Sequence, residues 1–218
     1  MFLLKMFDSK HLSENIPETP KRAMNPSHDL TQHFLRQIAS YPELRAAGVH
    51  RTAKKGDEVF RPGDDQTMFA IEWGLVKLCF ISGDGKEWIR SFAAAPGVFS
   101  QVYLQRPDED TTFSAIALED CSFTVYPYPL LVKIGQENPQ LVRAGFEVIQ
   151  AYLLQRERRA RNMLALTAEE AYRDFLQEHA DIAGRITQAD TSRYLGITPV
   201  ALSRIRQRMA LPELQEGS

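Results

Sequence analysis

Between Val49 and Tyr128 the chain is a succession of short apolar runs broken by glycine, proline and aspartate. Seven runs have strand character: Val49-His-Arg-Thr-Ala, Glu58-Val-Phe-Arg, Met68-Phe-Ala-Ile-Glu, Leu75-Val-Lys-Leu-Cys-Phe-Ile, Trp88-Ile-Arg-Ser-Phe, Phe113-Ser-Ala-Ile-Ala-Leu and Cys121-Ser-Phe-Thr-Val-Tyr. Turn residues stand between them at Lys55-Gly-Asp, Pro62-Gly-Asp-Asp, Trp73-Gly, Gly83-Asp-Gly and Pro96-Gly. Many short strands with such punctuation fold as an all-β sandwich or barrel. Gly83 to Gly85 has the chemistry of a tight hairpin.

On either side the texture is helical. Leu30, Phe34, Leu35 and Ile38 recur at helical spacing, with Ser27 as N-cap. Leu130 to Gly135 forms one or two turns. Asn138 and Pro139 then open a long helix to about Leu164, with an N-cap followed by proline at the first position. Its apolar positions, Leu141, Val142, Gly145, Phe146, Ile149, Tyr152 and Leu153, form a stripe, and its end is rich in arginine. So long a helix with one apolar face needs a partner, and a second copy of itself is the economical one. Thr167 with Glu170 reads as a capping box starting another helix to about His179.

Composition narrows the class. With 218 residues, 44% apolar and 25% charged, the chain has the makeup of a globular protein. No apolar run reaches the roughly 18 residues of a membrane span, and Met1 to Phe7 lacks a signal-peptide pattern, so a cytoplasmic protein is expected. Residues 1–26 read as a tail, with Met24 as an alternative start to Met1. Cys79 and Cys121 lie in apolar runs and read as buried thiols. The five histidines have no metal-ligand spacing, and a metal-dependent barrel enzyme is not expected.

The net charge is −2, but its distribution is uneven. From Ile186 to Met209 the only acid is Asp190, against Arg193, Arg204, Arg206 and Arg208. Thr187 can cap a short helix over Gln188 to Leu195. Gly196 can take the positive φ that ends it, and Ile197 plugs the turn. Thr198 caps a second helix with Pro199 at its first position. Leu202, Ile205 and Met209 share one face of that helix. Ser203, Arg204, Gln207 and Arg208 fall elsewhere, and small Ser192 sits where the helices approach. This is helix-turn-helix spacing, and arginine is the residue type that pairs bidentately with guanine in the major groove.

The segment Ile186 to Arg206, centred on Tyr194-Leu-Gly-Ile-Thr-Pro and Leu202-Ser-Arg-Ile-Arg, resembles the helix-turn-helix of the Crp/Fnr family. Upstream, Lys55-Gly-Asp-Glu-Val-Phe-Arg-Pro-Gly-Asp and Phe69-Ala-Ile-Glu-Trp-Gly-Leu-Val-Lys-Leu resemble the opening strands of that family's cyclic-nucleotide-binding-like barrel. The resemblance implies an α+β chain: a double-stranded β-helix, or jelly-roll, sensor barrel over 27–137, a dimerisation helix over 138–165 and a DNA-binding domain over 166–218. It also implies a homodimer on a roughly palindromic operator, with RNA polymerase as a further partner and no enzymatic activity. By the same resemblance the DNA-facing residues are Thr187, Gln188, Arg193, Thr198, Pro199, Val200, Ser203, Arg204, Arg206, Gln207 and Arg208, with Arg204 the base-reading arginine. Val200 stands where many members carry a glutamate. The chain also ends nine residues after Met209, leaving little room for the strands that often follow.

The implied ligand pocket maps to Phe99, Ser100, Gln101, Thr111 and Thr112. Gln101 replaces a glutamate, and no arginine stands at Thr111 or Thr112 to neutralise a cyclic phosphate. Arg106, nearby, lies among acids. A buried phosphate without its cation is costly, so an effector other than cyclic AMP, or none, is expected, and no cofactor is identified. The competing reading is a ligand-binding or interaction module with a helical tail that does not read DNA.

Overall fold

In the computed structural model the described residues are 26–62, 64, 66–100 and 113–210. Helices α1 (Pro26–Ser40) and α2 (Pro42–Ala47) lead into eight strands: β1 (Val49–Ala53), β2 (Glu58–Phe60), β3 (Thr67–Trp73), β4 (Leu75–Ile81), β5 (Glu87–Ala94), β6 (Gly97–Ser100), β7 (Ser114–Ala117) and β8 (Cys121–Pro127). Five helices follow: α3 (Tyr128–Glu137), α4 (Pro139–Ala165), α5 (Ala168–Glu178), α6 (Gln188–Leu195) and α7 (Pro199–Ala210), with a 3-10 turn at Ala183–Arg185.

The strands form two antiparallel four-stranded sheets, in orders β1-β8-β3-β6 and β2-β7-β4-β5. The jelly-roll is thus a two-sheet sandwich rather than a closed barrel. Its interior is aromatic. Phe69 stacks on Phe99 with centroids 4.8 Å apart, Phe60 and Phe123 lie within 6.0 Å of both, and Phe113 meets Phe60 edge-on at 5.4 Å. Offset and edge contacts of this kind add to the area they bury.

A second core lies between α1, α2, α3 and α4 and the first sheet, around Ile38, Leu44, Met68, Leu131 and Leu141. The third joins the sandwich to the C-terminal helices. Leu75, Cys79 and Ile89 pack with Tyr172, Phe175, Ile182, Ile186, Tyr194, Leu202 and Ile205. The C-terminal helices therefore share a core with β4 and β5 instead of hanging from α4 as a separate module.

Several local expectations need correction. Strand β6 is missed by the pattern because it is only four residues long and its first, Gly97, belongs to the Pro96-Gly turn signal. α2 was not read at all. Ser27 lies inside α1, which starts at Pro26, so it is not its N-cap. Asn138 makes no side-chain cap on α4; its Nδ2 donates to the Ile134 carbonyl and closes α3 instead, at 2.6 Å.

Candidate nucleic-acid interface and its sensor

The reader is built from local signals that act as the chain requires. Glu170 N–H donates to Thr167 Oγ1 while the Glu170 carboxylate accepts from Thr167 N–H, a complete capping box at the head of α5. Thr187 Oγ1 accepts from Asp190 N–H at 3.0 Å and starts α6. Gly196 ends it at φ 70°, a left-handed conformation that glycine adopts without a Cβ penalty. Ala201 N–H donates to Thr198 Oγ1 at 3.1 Å, and α7 follows with Pro199 first. Leu202 and Ile205 are buried and Met209 is partly buried, whereas Val200, Ser203, Arg204, Arg206 and Gln207 are exposed. The opposite face of α7 is thus free for a partner.

The DNA-facing set divides in the structure. Thr187 and Thr198 spend their side chains as caps. Arg193 pairs with Asp190 at 3.1 Å, and Arg208 with Glu169 at 3.1 Å, both within the chain. Gln188 and Pro199 are exposed at the two helix starts.

Asp190, the lone acid of this stretch, has a role that residue-by-residue reading missed. It is buried and takes the Lys77 ammonium of β4 at 3.0 Å, while Lys77 also meets Glu87 of β5 at 2.7 Å. Burial pulls the Lys77 ammonium down, but the bonds to Glu87 and Asp190 outweigh it and its pKa ends raised. Burial pushes the Asp190 carboxyl up, but Thr187, Lys77 and Arg193 outweigh it and its pKa ends lowered. Both groups are therefore held charged. Arg159 of α4 is a second tie. Its guanidinium donates to the carbonyls of Arg90, of Ile89 at 2.9 Å and of Tyr194 at 2.7 Å, and lies 4.0 Å over the Tyr194 ring. One arginine thus binds sandwich, long helix and reader. The signals were present in sequence, as an acid in a basic stretch and a lysine in an apolar strand, but their pairing spans 113 residues.

The stripe on α4 also divides. Leu141 is buried in its own chain, Gly145 lies against Phe34 of α1, where a Cβ would come within 3.2 Å of the ring, and Tyr152 faces Arg90 of β5. These three face inward, which corrects their placement on a dimer stripe. Val142, Phe146, Ile149 and Leu153 are exposed, Phe146 by 56%. Their spacing of four, three and four residues is that of a coiled-coil seam.

Of the expected ligand pocket, Gln101, Thr111 and Thr112 lie outside the described residues. Phe99 is a core residue, stacked on Phe69, and Ser100 Oγ donates to the Thr67 carbonyl at 2.8 Å. A cavity of about 150 Å³ lies beside them, between the β5–β6 connection, α1, α4 and the end of α5, bordered by Ser91, Val98, Tyr152, Gln155 and His179. A second, of about 280 Å³, lies between α4, α5 and the Gly196 turn. Cys79 and Cys121 are buried free thiols, and burial pushes the Cys79 thiol up to about 12. Among the described residues there is no cluster suited to a metal ion and no helix long and apolar enough to cross a membrane.

Residues 50–138 match the cyclic nucleotide-binding domain family. The nitrogen fixation regulation protein FixK of Azorhizobium caulinodans is 27% identical over 173 residues, 77% of this chain and 64% of that protein. The fumarate and nitrate reduction regulatory protein of Vibrio cholerae is 26% identical over 175 residues, 74% of this chain and 68% of that protein. The chain is thus similar over about three quarters of its length to regulators of the Crp/Fnr type. The chain spans less than two thirds of several of these relatives: 64% of FixK, 41% of a probable transcriptional activator of Rhizobium leguminosarum and 66% of electron transport regulator A of Shewanella oneidensis. Among solved structures, FixK2 of Bradyrhizobium japonicum superposes with TM-score 0.64 at 20% identity, over 74% of this chain and 84% of that one. CooA of Carboxydothermus hydrogenoformans gives 0.67 at 15% identity, over 81% and 84%. These two show that the fold is shared.

Proposed function

We propose that this chain is a DNA-binding transcription regulator of the Crp/Fnr type that acts as a homodimer on a roughly palindromic operator. Residues 27–137 sense, 138–165 dimerise and 166–218 read DNA. The observation that carries the reading is the pair of capped helices around left-handed Gly196, with Leu202 and Ile205 holding α7 down and Ser203, Arg204 and Gln207 exposed on it. A helix presented this way enters the major groove, and two copies about 34 Å apart meet successive half-sites. Arg204 is the base reader, and Arg206 and Gln188 are placed for phosphates. The exposed Val142, Phe146, Ile149 and Leu153 supply the two-fold seam.

The effector is a small molecule other than cyclic AMP. Gln101 stands in place of a glutamate and Thr111 and Thr112 offer no cation, while five phenylalanines fill the sandwich interior. Several relatives are named transcriptional activators. An activator works through RNA polymerase, so that enzyme is the second proposed partner and the cytoplasm the expected site of action.

Selection of bound sequences from random double-stranded DNA tests this directly. A two-half-site motif should emerge, and Arg204→Ala should lose roughly 1–3 kcal/mol of discrimination at one base position. Affinity should fall steeply with salt. If no sequence is enriched, the chain is an interaction module instead.

A further inference from the structure

The exposed face of α7 is laid out as a crest with two flanks. Val200, Ser203, Arg204 and Gln207 are all exposed. At about 100° per residue they span about 100° of the helix, and the middle of that arc lies about 180° from Leu202, Ile205 and Met209. Those three hold α7 to the core under it. Arg206 and Arg208 stand on either side of the arc, about 90–110° from its middle. A helix with polar side chains along its crest and guanidinium groups on both flanks fits a groove whose floor is base edges and whose walls are phosphate. Arg206 is exposed, and Arg208 is held by Glu169.

Three of the four crest residues can hydrogen-bond. Val200 cannot, and it is 62% exposed. It is also the one crest residue in the first turn of α7, and the N-terminal end of such a helix is the part that contacts base edges. The other side chains of that turn leave the crest to it. Leu202 is buried, and Pro199 and Ala201 lie about 100° to either side of Val200. Thr198, just before them, is spent as the cap, its Oγ1 accepting from Ala201 N–H. An isolated exposed valine is ordinary on a protein surface. This one stands at the leading point of the reading face, where a β-branched side chain lowers helix propensity and stays mostly in water.

The chemistry of the groove leaves such a side chain one target. Base-pair edges in the major groove present hydrogen-bond donors, acceptors and a single apolar group, the 5-methyl of thymine. An isopropyl group pressed on a donor or acceptor strips its water and returns no bond. Pressed on the methyl it only buries apolar surface. Val200 and Arg204 are four residues apart, about 6 Å along the axis and so about two base-pair steps.

We propose that Val200 is a specificity-determining residue that reads thymine through its 5-methyl group, so that each half-site carries a T·A pair within about two steps of the guanine met by Arg204. This rests on the DNA-reading function proposed above and adds the class of base that the first turn of α7 selects.

The operator obtained by selection from random double-stranded DNA supplies the probe. Its thymines are replaced one position at a time by deoxyuridine, which removes the methyl and leaves base pairing intact. At one position the full-length protein should lose affinity about fourfold per half-site, and about fifteenfold when both half-sites are changed. Val200→Ala should lose most of that sensitivity while keeping its preference for the guanine. Val200→Glu, whose carboxylate accepts from the cytosine amino group, should select a cytosine-containing pair at the same position and leave the others unchanged. Because Val200 is exposed, both variants should keep the parent's circular dichroism spectrum. An enriched motif with no thymine near that guanine, thymines that all tolerate deoxyuridine, or an equal deoxyuridine penalty in the parent and Val200→Ala overturns the role of Val200 and leaves the DNA-reading function standing. Failure of the parent to enrich any motif overturns both.

Discussion

At the scale of single residues, the contacts that join sensor to reader are buried polar groups rather than more apolar area. His179 closes α5 and sits in a cage of Phe92, Phe175 and Tyr194, its Nε2 3.3 Å from the Tyr194 hydroxyl. Burial disfavours the imidazolium and lowers the pKa of His179 from 6.5. Nearby Glu178, Asp181 and Asp174 pull the other way, and Arg159 adds to the lowering. In the folded state His179 therefore binds fewer protons than in the unfolded chain. Its contribution is whole above 6.5 and declines as pH falls below that value toward the folded pKa. Asp190 behaves alike in sign but only below its unfolded 3.8, so the two windows do not overlap near neutrality. Melting temperature should thus drop between pH 6.5 and 5, and His179→Phe, which keeps the ring and removes the titration, should flatten that slope. Thermal melts of both proteins from pH 5 to 8 decide it: a variant with the parent's slope places the titrating group elsewhere.

At the scale of elements, what was legible was whatever a few adjacent residues decide. Thr167 with Glu170, Thr187, Gly196, and Thr198 with Pro199 each act within one turn, so α5, α6 and α7 could be placed from sequence. β6 could not, because the three residues after Pro96 and Gly97 carry too little pattern to outweigh the turn they follow. The α4 stripe was legible as apolar but not as two-sided. Leu141, Gly145 and Tyr152 serve the chain's own α1, α3 and β5, and only contacts far along the chain reveal it. This division sharpens a prediction. Phe146→Lys puts a charge at the centre of the outward seam while leaving the inward face intact. The variant should remain folded by circular dichroism yet sediment as a monomer at concentrations where the parent is dimeric, with operator affinity reduced about 100-fold or more. A dimeric Phe146→Lys protein would move the two-fold axis off this helix.

At the scale of the whole molecule, the chain reads as a sensor, a helix and a reader in series, yet it is packed as one body. Tyr172, Phe175, Ile182, Tyr194 and Leu202 of the reader share a core with Leu75, Cys79 and Ile89 of the sandwich, and Arg159 and Lys77 fasten it with charge. Arg185 adds a pair with Glu119 at the edge. Modules joined only by a linker unfold separately, whereas modules that share a core unfold together. Heating should therefore give a single calorimetric transition at fixed protomer concentration, with the van 't Hoff and calorimetric enthalpies equal. Lys77→Glu tests what fastens the body. It would place three carboxylates, those of positions 77, 87 and 190, where a cation now sits between two, and breaking a buried pair in this way costs about 3–5 kcal/mol. The sandwich interior around Phe69 and Phe99 lies on the face of β4 opposite the Lys77 side chain, where Val76 and Leu78 point, and should hold. The α5–α7 unit should come away, splitting the endotherm into two. Because the cavity beside His179 has one wall on the α5–α7 unit, a small molecule that bound there would be thermodynamically linked to the docking of that unit. A single transition in the Lys77→Glu protein would instead assign the coupling to the apolar cluster and Arg159 alone.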